Sequence, residues 1–112
     1  MKKFVNELIY KGERVQCILE HYDYDSSYAI SLYTMNGEPY VVATLCGEFM
    51  TQGNEVIIKN YSENEGMDKF LIENNVIQKE VLRLLPFGFC VCPVHELNME
   101  LFEEIDETEL YK

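Results

Sequence analysis

Tyr28-Ala29-Ile30-Ser31-Leu32-Tyr33-Thr34-Met35-Asn36-Gly37-Glu38-Pro39-Tyr40-Val41-Val42-Ala43-Thr44-Leu45-Cys46 is the stretch that decides how this chain folds. In its first arm Tyr28, Ile30 and Leu32 recur at every second residue, which puts them on one face of an extended strand. Asn36-Gly37 follows with two residues that tolerate the positive φ of a tight turn, and residues 40–46 form the returning arm. The centre of the first half is therefore expected to be a β-hairpin.

Working outward, residues 14–21 also read as a strand, because Val15, Cys17 and Leu19 alternate with Gln16 and Glu20. Ile18 breaks that alternation and implies partial burial of both faces of this strand. Residues 55–59 supply a further strand, preceded by the turn residues Gln52-Gly53-Asn54.

The period changes in the second half. Ser62 and Glu65 have the spacing of a capping box, so a short helix is expected over residues 65–74, burying Met67, Phe70 and Leu71. Asn74-Asn75 can end it with a left-handed residue. Residues 81–85 and 89–94 read as strands around Pro86-Phe87-Gly88. At the carboxyl end, a turn of 100° per residue puts Leu97, Leu101, Phe102 and Ile105 on one flank and Glu96, Glu100, Glu103, Glu104 and Glu107 on the other. That pattern predicts an amphipathic acidic helix. The expected architecture is α+β: an antiparallel sheet of about five or six strands, one short helix and the acidic C-terminal helix.

The 112 residues fit one domain, residues 1–112, and the 47% apolar fraction suffices for a core. No repeat, low-complexity tract or flexible linker divides it. No apolar run approaches the ~20 residues that span a bilayer, and Asn6 and Glu7 interrupt the amino-terminal segment where a signal peptide would be apolar. A cytoplasmic, reducing location is the expectation, with Cys17, Cys46, Cys90 and Cys92 as thiols.

Twenty acids against nine Lys and Arg give a net charge of −11, which disfavours direct binding to nucleic acid or to anionic membranes. The charge is uneven. Residues 1–59 carry eight acids and five bases, whereas residues 60–112 carry twelve and four. The second half holds the field.

The chemistry-bearing groups form no strong motif. Cys90-x-Cys92-x-x-His95 has soft ligands close together but only three of the four that structural zinc takes, so buried thiols are expected and no metal or cofactor. Cys90 and Cys92, two apart, should share one strand face. A Cys/His enzyme would have to use His95 near Cys92, or His21 beside Asp23 and Asp25, and neither repeats a known catalytic arrangement. Glycines are scattered without a phosphate-cradling pattern. Tyr22-Asp23-Tyr24-Asp25 mixes aromatic and acidic character in an expected loop, which makes Tyr22 and Tyr24 candidate contact residues.

Three stretches carry a resemblance: Gly37-Glu38-Pro39-Tyr40, Tyr61-Ser62-Glu63-Asn64-Glu65-Gly66-Met67, and Gly88-Phe89-Cys90 followed by Pro93 and Leu97. In order and spacing, over residues 28–97, they resemble a small uncharacterised domain family of bacterial plasmids, phages and conjugative elements. The resemblance implies an accessory protein of a mobile element, in a setting where neighbouring proteins counter host restriction or CRISPR defence. It implies no catalytic residue.

Charge and resemblance together lead to one functional expectation, a noncatalytic inhibitor or modulator of a macromolecular partner such as a basic defence nuclease. Glu96, Glu100, Glu103, Glu104 and Glu107 would stand in for phosphates, and Glu63 and Asn64 at a helix start would add specificity. The alternative is a homo-oligomeric small-molecule binding domain, walled by the tyrosine-rich sheet and the loop of residues 60–66. A Cys/His enzyme is the third reading.

Overall fold

The computed structural model describes residues 1–47 and 49–111, the side chains of Glu107 and Tyr111 excepted. Its strands are β1 (Lys2–Phe4), β2 (Leu8–Tyr10), β3 (Glu13–His21), β4 (Tyr28–Thr34), β5 (Pro39–Val42), β6 (Thr44–Leu45), β7 (Glu55–Ile58), β8 (Arg83–Phe87), β9 (Cys90–Glu96) and β10 (Phe102–Glu104). One α-helix, α1 (Met67–Glu73), lies between β7 and β8. The chain is thus a mixed, strand-rich fold with one short helix.

Two antiparallel sheets result. The first has six strands in the order β10-β1-β3-β4-β5, with β2 also paired to β3. The paired residues explain that arrangement: β1 takes Ile18 and Leu19 while β2 takes Glu13, Arg14 and Val15, so the two short strands lie end to end along one edge of β3. The second sheet runs β6-β7-β9-β8.

The β4–β5 hairpin forms as expected, with a refinement. Thr34 N–H donates to the Glu38 carbonyl at 2.8 Å and Gly37 N–H to the Thr34 carbonyl at 3.0 Å. Gly37 has φ 84° and Asn36 does not share it, which is the type I turn plus glycine bulge of a longer hairpin loop. The returning arm is not one strand. At Ala43 it leaves the first sheet for the second: Ala43 N–H donates to the Ile30 carbonyl, and its own carbonyl accepts from Lys59 N–H. This corner joins the two sheets in one continuous main-chain path.

Between them lies the main core, built from Phe4, Leu8, Val15, Cys17, Leu19, Ile30 and Leu32 of the first sheet, Val56 and Ile58 of β7, and Met67, Leu71, Val76 and Ile77 of the helical segment. Ile18 faces the other way and is fully buried too, more completely than its break in alternation implied. The cover there is the carboxyl-terminal turn: Leu110 is buried, and Gln16 Nε2 donates to its carbonyl at 3.4 Å and to that of Thr34 at 3.0 Å.

The helix starts later than its sequence signal. Ser62 and Glu65 make no capping box: Ser62 has φ 57° and begins a 3-10 turn, Ser62–Asn64, after which Gly66 at φ 86° precedes α1 without a side-chain cap. The end agrees with expectation. Asn75 is left-handed at φ 61°, its N–H reaches the Ile72 carbonyl at 3.0 Å, and Val76 N–H reaches that of Leu71 at 2.9 Å. These are the two bonds of a Schellman motif, with Val76 and Leu71 both in the core.

The expected C-terminal acidic helix is corrected. Residues 97–106 instead make a bridge at Leu97, a 3-10 turn Met99–Leu101 and the strand β10, ahead of a second 3-10 turn, Glu107–Tyr111. The physical reason lies at the other end of the chain. In β10, Phe102, Glu103 and Glu104 pair with Phe4, Lys3 and Lys2, so two lysines face acids that a helix would have crowded against one another. Phe102 packs edge-on to Phe4 with ring centroids 5.3 Å apart.

Candidate functional site

Without the helix, the acids have a different geometry. Glu96 ends β9, Glu100 sits in the 3-10 turn, and Glu103 and Glu104 occupy β10; all four are exposed. Neighbouring strand residues point to opposite faces, so Glu103 and Glu104 diverge instead of sharing a stripe. Lys2 Nζ lies 3.9 Å from Glu104 Oε1, an exposed pair that neutralises part of the field. Glu96 stands opposite Glu55, whose own carboxylate accepts from Arg83 Nη2 at 2.6 Å and is held below its ordinary range by that bond. The side chain of Glu107 lies outside the described residues.

Glu63 and Asn64, paired in the sequence reading, separate. Glu63 is exposed and accepts from Lys59 Nζ at 2.5 Å, which lowers its carboxyl to about 2. Asn64 is completely buried, donating from Nδ2 to the Val42 carbonyl at 2.7 Å. Its role as a contact residue is therefore corrected: it ties the 3-10 turn to β5 from the inside, and a partner cannot reach it.

Tyr22 and Tyr24 also part company. The Tyr22 hydroxyl shares a 3.0 Å hydrogen bond with Thr44 Oγ1, and burial pushes it above the ordinary tyrosine range. Its role is to hold the loop after β3 against β6. Tyr24 is exposed and lies 5.5 Å, centroid to centroid, from exposed Phe49. Asp25 organises this neighbourhood: its carboxylate accepts from Ser27 Oγ at 2.6 Å, from Ser27 N–H at 3.0 Å and from Phe49 N–H at 2.9 Å. Those bonds, the Ser27 hydroxyl first, lower its carboxyl to about 2. Phe49 was missed in the sequence because nothing local marks an outward-facing aromatic in a loop.

Beside that loop a cavity of about 260 Å³ is lined by Cys46, Gly47, Met50 and Phe87. It is not the pocket the sequence suggested, since neither the tyrosine-rich sheet nor residues 60–66 lines it. Gly47 gives the Ile57 side chain room here, because a Cβ would displace its terminal methyl.

The Cys/His constellation is taken apart by strand alternation. Cys90 and Cys92 share one face of β9, as expected, with Cys92 packed among Ile57 and Val94. His95 belongs to the opposite face, where Nδ1 donates to the Gln78 carbonyl at 2.8 Å and Nε2 is enclosed without a partner. His21 stacks on Tyr28, centroids 4.6 Å apart, and bonds through Nδ1 to the Ser26 carbonyl. Neither imidazole is placed to take a proton from Cys92.

No family model matches the chain, and neither a curated protein nor a solved structure matches it.

Proposed function

We propose that this chain is a noncatalytic acidic binding protein that modulates a macromolecular partner presenting a basic surface. A nucleic-acid-binding enzyme, such as a defence nuclease countered by a mobile element, is the partner class that the charge fits best. The supporting observation is that Glu96, Glu100, Glu103 and Glu104 are all exposed, in a half-chain with twelve acids and four bases. Their spread over β9, a turn and both faces of β10 favours a broad negative field that steers encounter and sets partner choice. Imitation of a single phosphate row by one helix flank is given up, because the flank does not exist.

Reversing Glu96, Glu100, Glu103 and Glu104 to Lys and comparing host-lysate pull-downs with the unaltered chain tests this reading. Recovery of a basic nucleic acid enzyme by the unaltered chain alone, released by raised salt, is the expected result. Identical retention by both chains would discard it.

A second reading has its own support in the cavity beside Cys46, Met50 and Phe87, whose lining suits a small apolar ligand. Thermal stabilisation of the chain by small aromatic compounds, abolished in Phe87→Asp, tests it; no stabilisation by any of them counts against it.

A further inference from the structure

The hairpin of β8 and β9 carries an apolar surface that the acidic reading leaves unused. Phe87 pairs with Cys90 across the two-residue turn Gly88-Phe89, with Gly88 at φ 63°. From the pairs Leu84↔Pro93 and Pro86↔Val91, alternation puts Leu84, Pro86, Val91 and Pro93 on one face. Farther along β9 that same face includes His95 opposite Val56 and belongs to the main core. Toward the hairpin tip the core stops but the apolar face continues. Leu84 is 61% exposed, Val91 57% and Phe89, at the tip, 109%.

The charge pattern of this segment is unlike the rest of the chain. Residues 81–95 contain no Asp or Glu, in a protein with twenty of them, and their single Lys or Arg is Arg83. Arg83 points to the opposite face, where Nη2 bonds Glu55 and the Met50 carbonyl. The exposed face therefore offers neither a carboxylate to a basic partner nor a cation to an acidic one.

We propose that this face binds a second copy of the chain, forming a two-fold symmetric dimer in which Leu84, Pro86, Phe89 and Val91 of each copy cover those of the other. An isologous contact needs a self-complementary patch, and an uncharged apolar patch meets that condition when set against itself. Two chains of net charge −11 repel across their acidic faces; the acid-free hairpin lets them approach with least repulsion. The exposed surface of Leu84, Pro86, Phe89 and Val91 is on the order of 500 Å² per copy, hence about 1,000 Å² for the pair, the threshold for a specific interface and below the standard size. Contact is between faces and not edges: β8 is the outermost strand, and Pro86 deprives its free edge of an N–H, interrupting any ladder with another strand.

A dimer of this kind has a salt dependence opposite to that of the proposed partner binding. Salt screens the repulsion between two acidic chains and so tightens the dimer, while it weakens an acid-to-base contact. The test is sedimentation equilibrium of the full chain from about 10 to about 500 µM, at about 0.1 and 1 M NaCl. The expected result is a dimer that strengthens with salt and is weakened at least about a hundredfold by Leu84→Glu with Val91→Glu, which buries unpaired carboxylates in the contact. Both positions are exposed, so far-UV circular dichroism should be unchanged; Ile9→Glu, at the exposed residue of β2, should leave the dimer intact. A chain that is monomeric throughout would overturn the proposal and assign the patch to a different protein. A dimer that survives the double substitution, or dissolves in high salt, would overturn it too. The fourfold acid-to-lysine variant should still dimerise, so failure of one idea is separable from failure of the other.

Discussion

Replacing Phe102 by Ala should destabilise the chain by about 3 kcal/mol, the lower part of the range for truncating a core phenylalanine, because its strand is short and can relax. Phe102 is buried against Phe4, whereas Leu101 and Ile105 are only half-buried. Truncating either of those should cost about 1 kcal/mol. At roughly 2.1 cal/mol/K of unfolding entropy per residue, about 3 kcal/mol in a chain of this length lowers Tm by ~13 °C, and about 1 kcal/mol by ~4 °C. Urea and thermal unfolding followed by tyrosine fluorescence would measure both, since the chain has eight tyrosines and no tryptophan. A double-mutant cycle between Phe4→Ala and Phe102→Ala should show a coupling of about 1 kcal/mol from their edge-on contact. On a helix flank, Leu101, Phe102 and Ile105 would cost comparable amounts and Phe4 would be uncoupled. Either result would refute the strand pairing of β10 with β1.

Asn64→Ala should cost about 1–3 kcal/mol in urea unfolding, because the Val42 carbonyl loses its buried donor; a change within error would show that water replaces it. The Phe49 amide resonance reports on Asp25, whose carboxyl is lowered in the folded state, so the loop it ties is intact above the ordinary carboxyl range and is lost as pH falls through about 2. A midpoint near the unperturbed aspartate value would contradict that tie. In the native chain Cys46 and Cys90 should react with a thiol reagent before Cys17 and Cys92, both buried, with burial pushing Cys17 up to about 12. Rapid modification of Cys17 without unfolding would be incompatible with the core described. Asn75→Ala should cost about 1 kcal/mol, because alanine has a Cβ but not the short polar side chain that lets Asn adopt the left-handed conformation, and Asn75→Gly should not; equal effects would argue against the Schellman motif.

Local signals were legible where one segment's chemistry sufficed. The hairpin after Tyr28 followed from alternation and from Gly37, the doubly covered strand β3 from Ile18, and the helix end from Asn75. The candidate site was less legible, because it depended on exposure. Glu63 and Asn64 are adjacent and similarly polar, yet one is in solvent and the other fully buried. Cys92 and His95 are three apart, close in sequence but on opposite faces of β9.

By itself the sequence determined the strand-rich α+β class, the central hairpin, the acid excess and its concentration in the second half. These depend on side-chain period, on backbone freedom at Gly37 and on a count of charges, all properties of neighbouring residues. Only the tertiary structure decided that residues 102–104 form a strand and not part of a helix. Leu97, Leu101, Phe102 and Ile105 fit a helical period, but pairing with Lys2, Lys3 and Phe4, about a hundred residues earlier, satisfies both charge and burial at once. A partner that distant is not visible in local periodicity, and the same pairing is what spreads the acids of β10 apart.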